Sequence, residues 1–386
     1  MAVYGLREVL RLRPRELLAY VLPKVLAHPM QVWQARVLGA VAEAAPTTIH
    51  FSVGQIVPCL VREVSEGYAL APDDTEGLER RDAAEDAFRA LLGSVDTVGV
   101  NFTVSELVKY VGSAESAAHR RAGAWAVEQF LLGTRADFAP QIPILLRDLL
   151  QRMHEEDDAA LTATHRALQA LNKAAGAEEL AQHLEFARTL LASLVSDKRW
   201  KGGALAVGEG EFLLRGTNVP PRGLEPLLPM YLQGLMYGAP QVREAAAAGL
   251  GELVQVTGAP ALKPFLVKIT GPLIRIVGDR FPPGVKAAIL KTLGLLLGKG
   301  GVMLKPFVPQ LQTTFVKALG DPDRAVRAQG AEALARLMAI ATRVDPLVAE
   351  LLAGAQTGEP AVRATMLGAL RGVLLGCAGR AVPSPP

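Results

Sequence analysis

His154 is followed by Glu155, Glu156, Asp157 and Asp158, where an imidazole and several carboxylates stand side by side. Two histidines four residues apart on a helix, with a glutamate after the first, would hold zinc and activate water. Position 158 is Asp, so the second imidazole is missing and the run reads as a solvated acidic turn. The other histidines, His28, His50, His119, His165 and His183, are dispersed. Gly298-Lys299-Gly300-Gly301 resembles part of a phosphate loop but lacks its spacing and a preceding strand, and Gly208-Glu209-Gly210 fails likewise. No G-x-S-x-G elbow is present, and neither Cys59 nor Cys377 has a histidine nearby in sequence. These patterns predict no catalytic residue, no cofactor-binding residue, no metal ligand and no small-molecule substrate.

Charge carries more information. The chain is nearly balanced at +3, yet Ala259–Lys317 holds nine Lys or Arg against one acid, Asp279. A solvated helix face explains such a run. A strip facing phosphates explains it too, because each neutralised phosphate releases counterions. Lys263, Lys268, Arg275, Arg280, Lys291 and Lys305 are the candidate RNA contacts. Lys286 is set apart because its place in the repeat described next suits fastening a turn. Phe265, Phe281, Phe307 and Phe315 in the same segment read as repeat core, so backbone contact is expected rather than base reading.

The elements that position these residues repeat. Val242, Val285, Val326 and Val362 are each followed by Arg or Lys, and eight residues later by Leu250, Leu293, Leu334 and Leu370. Eleven residues after each valine stand Leu253, Leu296, Leu337 and Val373. Offsets 0, 4, 7, 8 and 11 share one helical face. The valines lie 43, 41 and 36 residues apart, the period of stacked helical hairpins. A partner helix precedes each one, opened by Pro226, Pro264, Pro306 and Pro346, since proline at a first helical position forfeits no hydrogen bond. The turns are written in Gly, Asp and Pro, as in Gly320-Asp321-Pro322-Asp323. Asp321, six residues before Arg327, can pair with it and fasten that hairpin, and Asp279–Lys286 is a looser version.

The expected fold is all-α, a right-handed α-solenoid of HEAT-type hairpins without β-sheet, continuous over 1–376. Long loops are expected near 67–82 and 201–222, and a disordered tail over 377–386. At this period the chain's 386 residues would hold roughly nine or ten hairpins. The two cysteines imply a reducing compartment, and arginines at Arg7, Arg11, Arg13 and Arg15 interrupt any signal-peptide core. The most apolar stretches, such as Leu290–Leu297, look too short to span a bilayer, so no membrane partner is expected and the location is cytoplasmic.

Two stretches are more specific than a generic repeat. Ile269–Phe281, running on through Val285-Lys286-Ala287-Ala288-Ile289-Leu290, and Leu304–Leu319 resemble the family of the general-control-nonderepressible translational activator. The resemblance is close over about 223–376 and looser before that. It implies a non-enzymatic scaffold that rides on stalled ribosomes during amino-acid starvation and promotes activation of the kinase of initiation factor two alpha. Its implied partners are the ribosome, that kinase and an ATP-binding-cassette protein. Family members are several times longer, so the chain reads as an internal section, a truncated product or a partial gene model, with the elongation-factor-three-like region upstream of or overlapping its N-terminal part and the kinase-docking segment downstream of Gly376. No kinase-docking residue is carried over. The alternative is a generic HEAT adaptor that binds proteins only. Elemental analysis of the purified chain should find no stoichiometric zinc or other metal.

Overall fold

The computed structural model describes residues 2–196, 205–206, 212–220, 222–278, 281–357 and 359–377. It falls into two compact units, Met1–Leu180 and Ala181–Pro386. In the first, α1 (Ala2–Leu12) precedes four helix pairs. These are α2 (Pro14–Val25) with α3 (Val32–Ala44), then α4 (Pro46–Ile49) and α5 (Val53–Gly67) with α6 (Thr75–Gly93). Next come α7 (Gly99–Val111) with α8 (Ala117–Gly133), and α9 (Ile142–Gln151) with α10 (Asp158–Ala175). The second unit carries α12 (Leu184–Ser196), after α11 (Ala177–Gln182) at the boundary, and strands β1 (Leu205–Ala206) and β2 (Phe212–Leu213). Four pairs follow: α13 (Leu228–Tyr237) with α14 (Pro240–Gln255), α15 (Ala259–Leu262) and α16 (Leu266–Ile276) with α17 (Pro283–Gly300), α18 (Val308–Leu319) with α19 (Arg324–Leu337), and α20 (Asp345–Thr357) with α21 (Pro360–Gly376). Each unit is thus a stack of antiparallel hairpins, an α-solenoid in which the first helix of a pair (A) packs on the second (B).

The repeat pattern builds the core. Leu250, Leu293 and Leu334 are buried at 0%, 1% and 0% exposure. Leu370 is only half-buried, correcting its expected burial; α21 fills its interface with Ala369 and Val373 instead. Val285 and Val326 are buried, while Val242 and Val362 are half-buried. Val242 packs on Gly234 and Gly238, where a Cβ would come within 3.3 and 2.7 Å of its Cγ1. Successive B helices approach through small residues: Gly39 faces Ala87 and Ala90, Gly251 faces Thr292, and Gly294 faces Ala333.

Four differences from the sequence expectation have local causes. The loop expected near 67–82 is confined to 68–74, because Asp74 caps α6, accepting from the Gly77 N–H at 2.9 Å. Gly77 and Pro72 suggested a longer break, but Gly77 sits in the first turn, where a glycine costs little. Glu178–Val195 has the apolar spacing of one amphipathic helix, yet it is broken at His183 into α11 and α12. Within the expected loop 201–222, β1 pairs antiparallel with β2, Leu205 opposite Leu213 and Ala206 opposite Phe212, so β-structure is not absent. Finally, α17 and its continuation to Leu319 are long and apolar enough to cross a membrane by length and composition. Its Val285, Ile289, Leu290, Leu293, Leu296 and Leu297 are instead buried against neighbouring helices. The expected tail beyond Cys377 lies outside the described residues.

A cation at the fourth residue of several B helices ties hairpins together. Arg120 donates to the Ser113 carbonyl of its own turn at 3.2 Å and to both Glu155 oxygens of the next hairpin. Arg243 donates to the Leu235 carbonyl at 2.6 Å and lies over the Phe281 ring of the next hairpin. Arg327 donates to the Asp321 and Pro322 carbonyls at 2.9 and 2.7 Å and to Thr365 Oγ1 at 3.3 Å. The Asp321 carboxylate therefore does not pair with Arg327, as the spacing suggested. It takes Lys286 of the preceding hairpin at 2.8 Å. Asp279 lies outside the described residues, and Lys286 fastens forward instead. Burial pushes the Asp321 carboxyl up, but bonds from Lys286 and the Asp323 N–H leave it below its usual value.

Leu334→Ala should cost about 2–5 kcal/mol in chemical denaturation, as for other buried leucines. A second expected outcome concerns pH. Burial raises the Glu155 carboxyl, but hydrogen bonds from Arg120 and the Asp157 N–H and the charges of Arg120 and Arg152 hold it below its ordinary value. A depressed carboxylate contributes stability above its unfolded pKa of about 4.3 and loses it as pH falls through the lower folded value. Glu155→Gln should therefore cost about 1.5–3 kcal/mol at pH 7. Its denaturation curve should converge with that of the parent chain as the pH drops below about 4.

Candidate phosphate-contacting surface

Aligning the hairpins of the second unit on their prolines puts the basic segment in register. The residue before the proline is Glu225, Lys263, Lys305 and Asp345 in successive repeats. Eleven residues after the proline stand Tyr237, Arg275, Lys317 and Thr357. Cations thus occupy both ends of the A helices of the two middle hairpins, with acids at the first position on either side. Lys263, Lys268, Arg275, Lys305 and Lys317 are all exposed. Lys263, Lys268, Arg275 and Lys305 make no ion pair among the described residues; Lys268 lies 5.9 Å from the Phe265 ring centroid.

The A helices place these groups by simple geometry. α16 buries Leu266, Ile269, Thr270, Leu273 and Ile276. Lys268 and Arg275, seven residues apart, share the opposite face. α18 buries Leu311, Phe315, Ala318 and Leu319 and turns Lys317 outward. Lys263 lies in the 3-10 turn that leads into α16, and Arg275 is in the last turn of that helix, so the two stand at opposite ends of it. The two A helices are separated by an open groove of about 770 Å³ lined by Ile274, Val277, Pro309, Thr313 and Lys317. The result is a patch one helix long and two helices wide. Phosphates would bind it as point charges, without base reading, because Phe265 and Phe315 are buried in the core. Phe281 and Phe307 are half-buried.

The expected set of six is therefore divided. Lys263, Lys268, Arg275 and Lys305 stand together. Lys291 does not: it is on α17, beside a groove lined by Arg188, Glu244, Glu252 and Gln255 on the B-helix surface. Glu252 there is held by Arg188 at 2.7 Å. Arg280 lies outside the described residues. Lys299 is used at the end of α17, where its ammonium donates to the Gln255 carbonyl and to the Thr257 carbonyl at 3.0 Å. Lys317, one of the nine cations of the segment but not one of the six candidates, joins the patch once the hairpins are aligned on the proline.

The acidic run after His154 is structural. Glu155 is held by Arg120, and Asp157 caps α10 by accepting from the Ala160 N–H at 2.8 Å. His154 is pushed below its usual value first by burial and then by the Arg152 charge. Among the described residues, no group of three or more His, Cys, Asp or Glu could hold a metal ion.

Residues 17–221 match the family model described as "Stalled ribosome sensor GCN1-like, HEAT repeats", and residues 227–257 match a HEAT repeat. The likeness therefore extends through the first unit, where the resemblance read from the sequence is looser. The chain is 36% identical to Protein ILITYHIA of Arabidopsis thaliana over 97% of its length. It is 36% identical to the mouse stalled ribosome sensor GCN1 over 98%, and 32% identical to the eIF-2-alpha kinase activator GCN1 of Saccharomyces cerevisiae over 97%. It spans 13% of the length of each of these relatives. Among solved structures, Kap121p bound to RanGTP aligns with 97% of this chain and 36% of its own at TM-score 0.42 and 12% identity. By the extent of the family match, the chain belongs to the GCN1-like family of HEAT-repeat proteins.

Proposed function

We propose that this chain is a non-enzymatic scaffold section of a stalled-ribosome sensor, acting in the cytoplasm. Its α16–α18 surface rests on ribosomal RNA phosphates, and the larger assembly activates the kinase of initiation factor two alpha. The relatives' names supply the ribosome and the kinase. An ATP-binding-cassette partner belongs to the same reading. The observation that carries the contact is the register of Lys263, Lys268, Arg275, Lys305 and Lys317 on adjacent A helices, bounded by Glu225 and Asp345. Each such cation that meets a phosphate releases counterions, so affinity falls steeply with salt.

The test is cosedimentation with purified ribosomes across a salt series. Changing Lys263, Lys268, Arg275, Lys305 and Lys317 to Gln should weaken binding and lower the salt slope by about one unit for each phosphate-bound cation removed. The same change at Arg11, Arg13, Arg36, Arg62 and Arg135, exposed cations of the first unit, should leave the slope nearly intact. Lys291→Gln should resemble the control set. Equal losses from both sets would indicate diffuse attraction. No loss from the first set would return the patch to a solvated face and favour a protein-only adaptor.

A further inference from the structure

Aromatic residues are 5% of this chain, yet two phenylalanines meet at the surface of the first unit. Phe51, just before α5, is 62% exposed, and Phe102 on α7 is 47% exposed; their ring centroids are 6.2 Å apart. Val98 beside them is 62% exposed, and the buried His50 stacks on Phe102 at 6.1 Å. Phe51 also forms one wall of a groove of about 620 Å³ between α2 and α4–α5. The floor is Leu18 and Leu22. Arg15, Ala19 and Pro23, one turn apart along α2, form the opposite edge, ~12 Å long. Thr48, Ser52 and Gln55 supply neutral polar groups.

Two features give this groove a chemistry. Arg15 is its one charged lining residue, is exposed, and makes no ion pair among the described residues. The acids nearby are already engaged: Glu16 on α2 is paired with Arg13 at 3.3 Å, Asp96 accepts from the Gly99 N–H at 2.9 Å, and Glu106 is paired with Lys109. In addition, Pro23 lies inside α2 and has no N–H, so the Ala19 carbonyl lacks its helical donor on the groove edge. The groove therefore offers an apolar floor and an aromatic wall. Beside them stand one unpaired guanidinium and one backbone acceptor.

We propose that the groove between α2 and α4–α5 docks a short polypeptide segment carrying an apolar anchor side chain and a carboxylate. The anchor sits on Leu18 and Leu22 against Phe51, the carboxylate meets Arg15, and a donor of the segment meets the Ala19 carbonyl. The single cation argues against nucleic acid, whose affinity for a surface comes from several phosphate contacts at once. An aromatic anchor at the centre with an arginine beside it is the composition of interface hot spots.

The test is a random 12-residue peptide display library selected on the whole chain. Enriched peptides are then synthesised and measured by fluorescence anisotropy. Enriched sequences should share an apolar residue and an Asp or Glu. Phe51→Ala and Arg15→Glu should each weaken them at least about tenfold. Ala19→Arg should block them from an exposed helix position, and thermal melts of all three variants should match the parent. Replacing the peptide acid with Lys should restore binding to Arg15→Glu, which loss of packing alone would not do. The proposal is overturned if no enriched peptide depends on both Phe51 and Arg15, or if a 12-nucleotide RNA binds with that dependence instead.

Discussion

A helical hairpin has more apolar surface than it can bury by itself, and in this chain the next hairpin covers it. That constraint sets everything else. It requires Leu250, Leu293 and Leu334 to sit at one offset from the start of each B helix, so that successive pairs meet face to face. It also requires the hairpins to be held at a fixed angle. The cation at the fourth B-helix residue serves this end: Arg120, Lys286 and Arg327 each reach the following hairpin, and Arg120 and Arg327 hold a carbonyl of their own turn as well. With the interior given over to stacking, variation is left to the outward positions. At the residue before the repeat proline the series Glu225, Lys263, Lys305, Asp345 changes sign twice while the core beneath it keeps its pattern.

Much of this architecture is legible without coordinates because it rests on local periodicity. The valine–leucine offsets, the prolines at A-helix starts and the turns in Gly, Asp and Pro each need only a few neighbouring residues to be recognised. Partner choice across hairpins is not local. Asp321 is six residues from Arg327 and 35 from Lys286, and sequence proximity favours the wrong one. The same limit divided the basic segment. Lys291 is near Arg275 in sequence, but it stands on a B helix and so belongs to a different surface. Where local signals conflict, they also mislead. Gly77 argues against a helix, while the Asp74 cap, visible only once its bond to the Gly77 N–H is formed, argues for one.

The two candidate surfaces differ in kind for a physical reason. A patch of exposed cations without deep apolar walls acts at a distance and is weakened by salt. A groove with an aromatic wall acts only on contact and draws its strength from excluding water around a central anchor. The chain carries the first on α16 and α18 and the second at α2 and α5. The same A-helix scaffold thus offers a surface of each kind, one in each unit.

The B helices meet through glycine and alanine, with grooves of about 410 and 430 Å³ on their surface, whereas larger grooves of about 620 and 770 Å³ open between A helices in the first and second units. Small residues in mutual contact behave as a hinge line that resists stretching, because almost nothing there can deform. The A side, joined by fewer and longer side chains, is free to open or close. Pulling on either unit would therefore bend it about its B helices, widening the grooves. The width of a docking groove, and the spacing of cations on neighbouring A helices, would then report mechanical load on the chain.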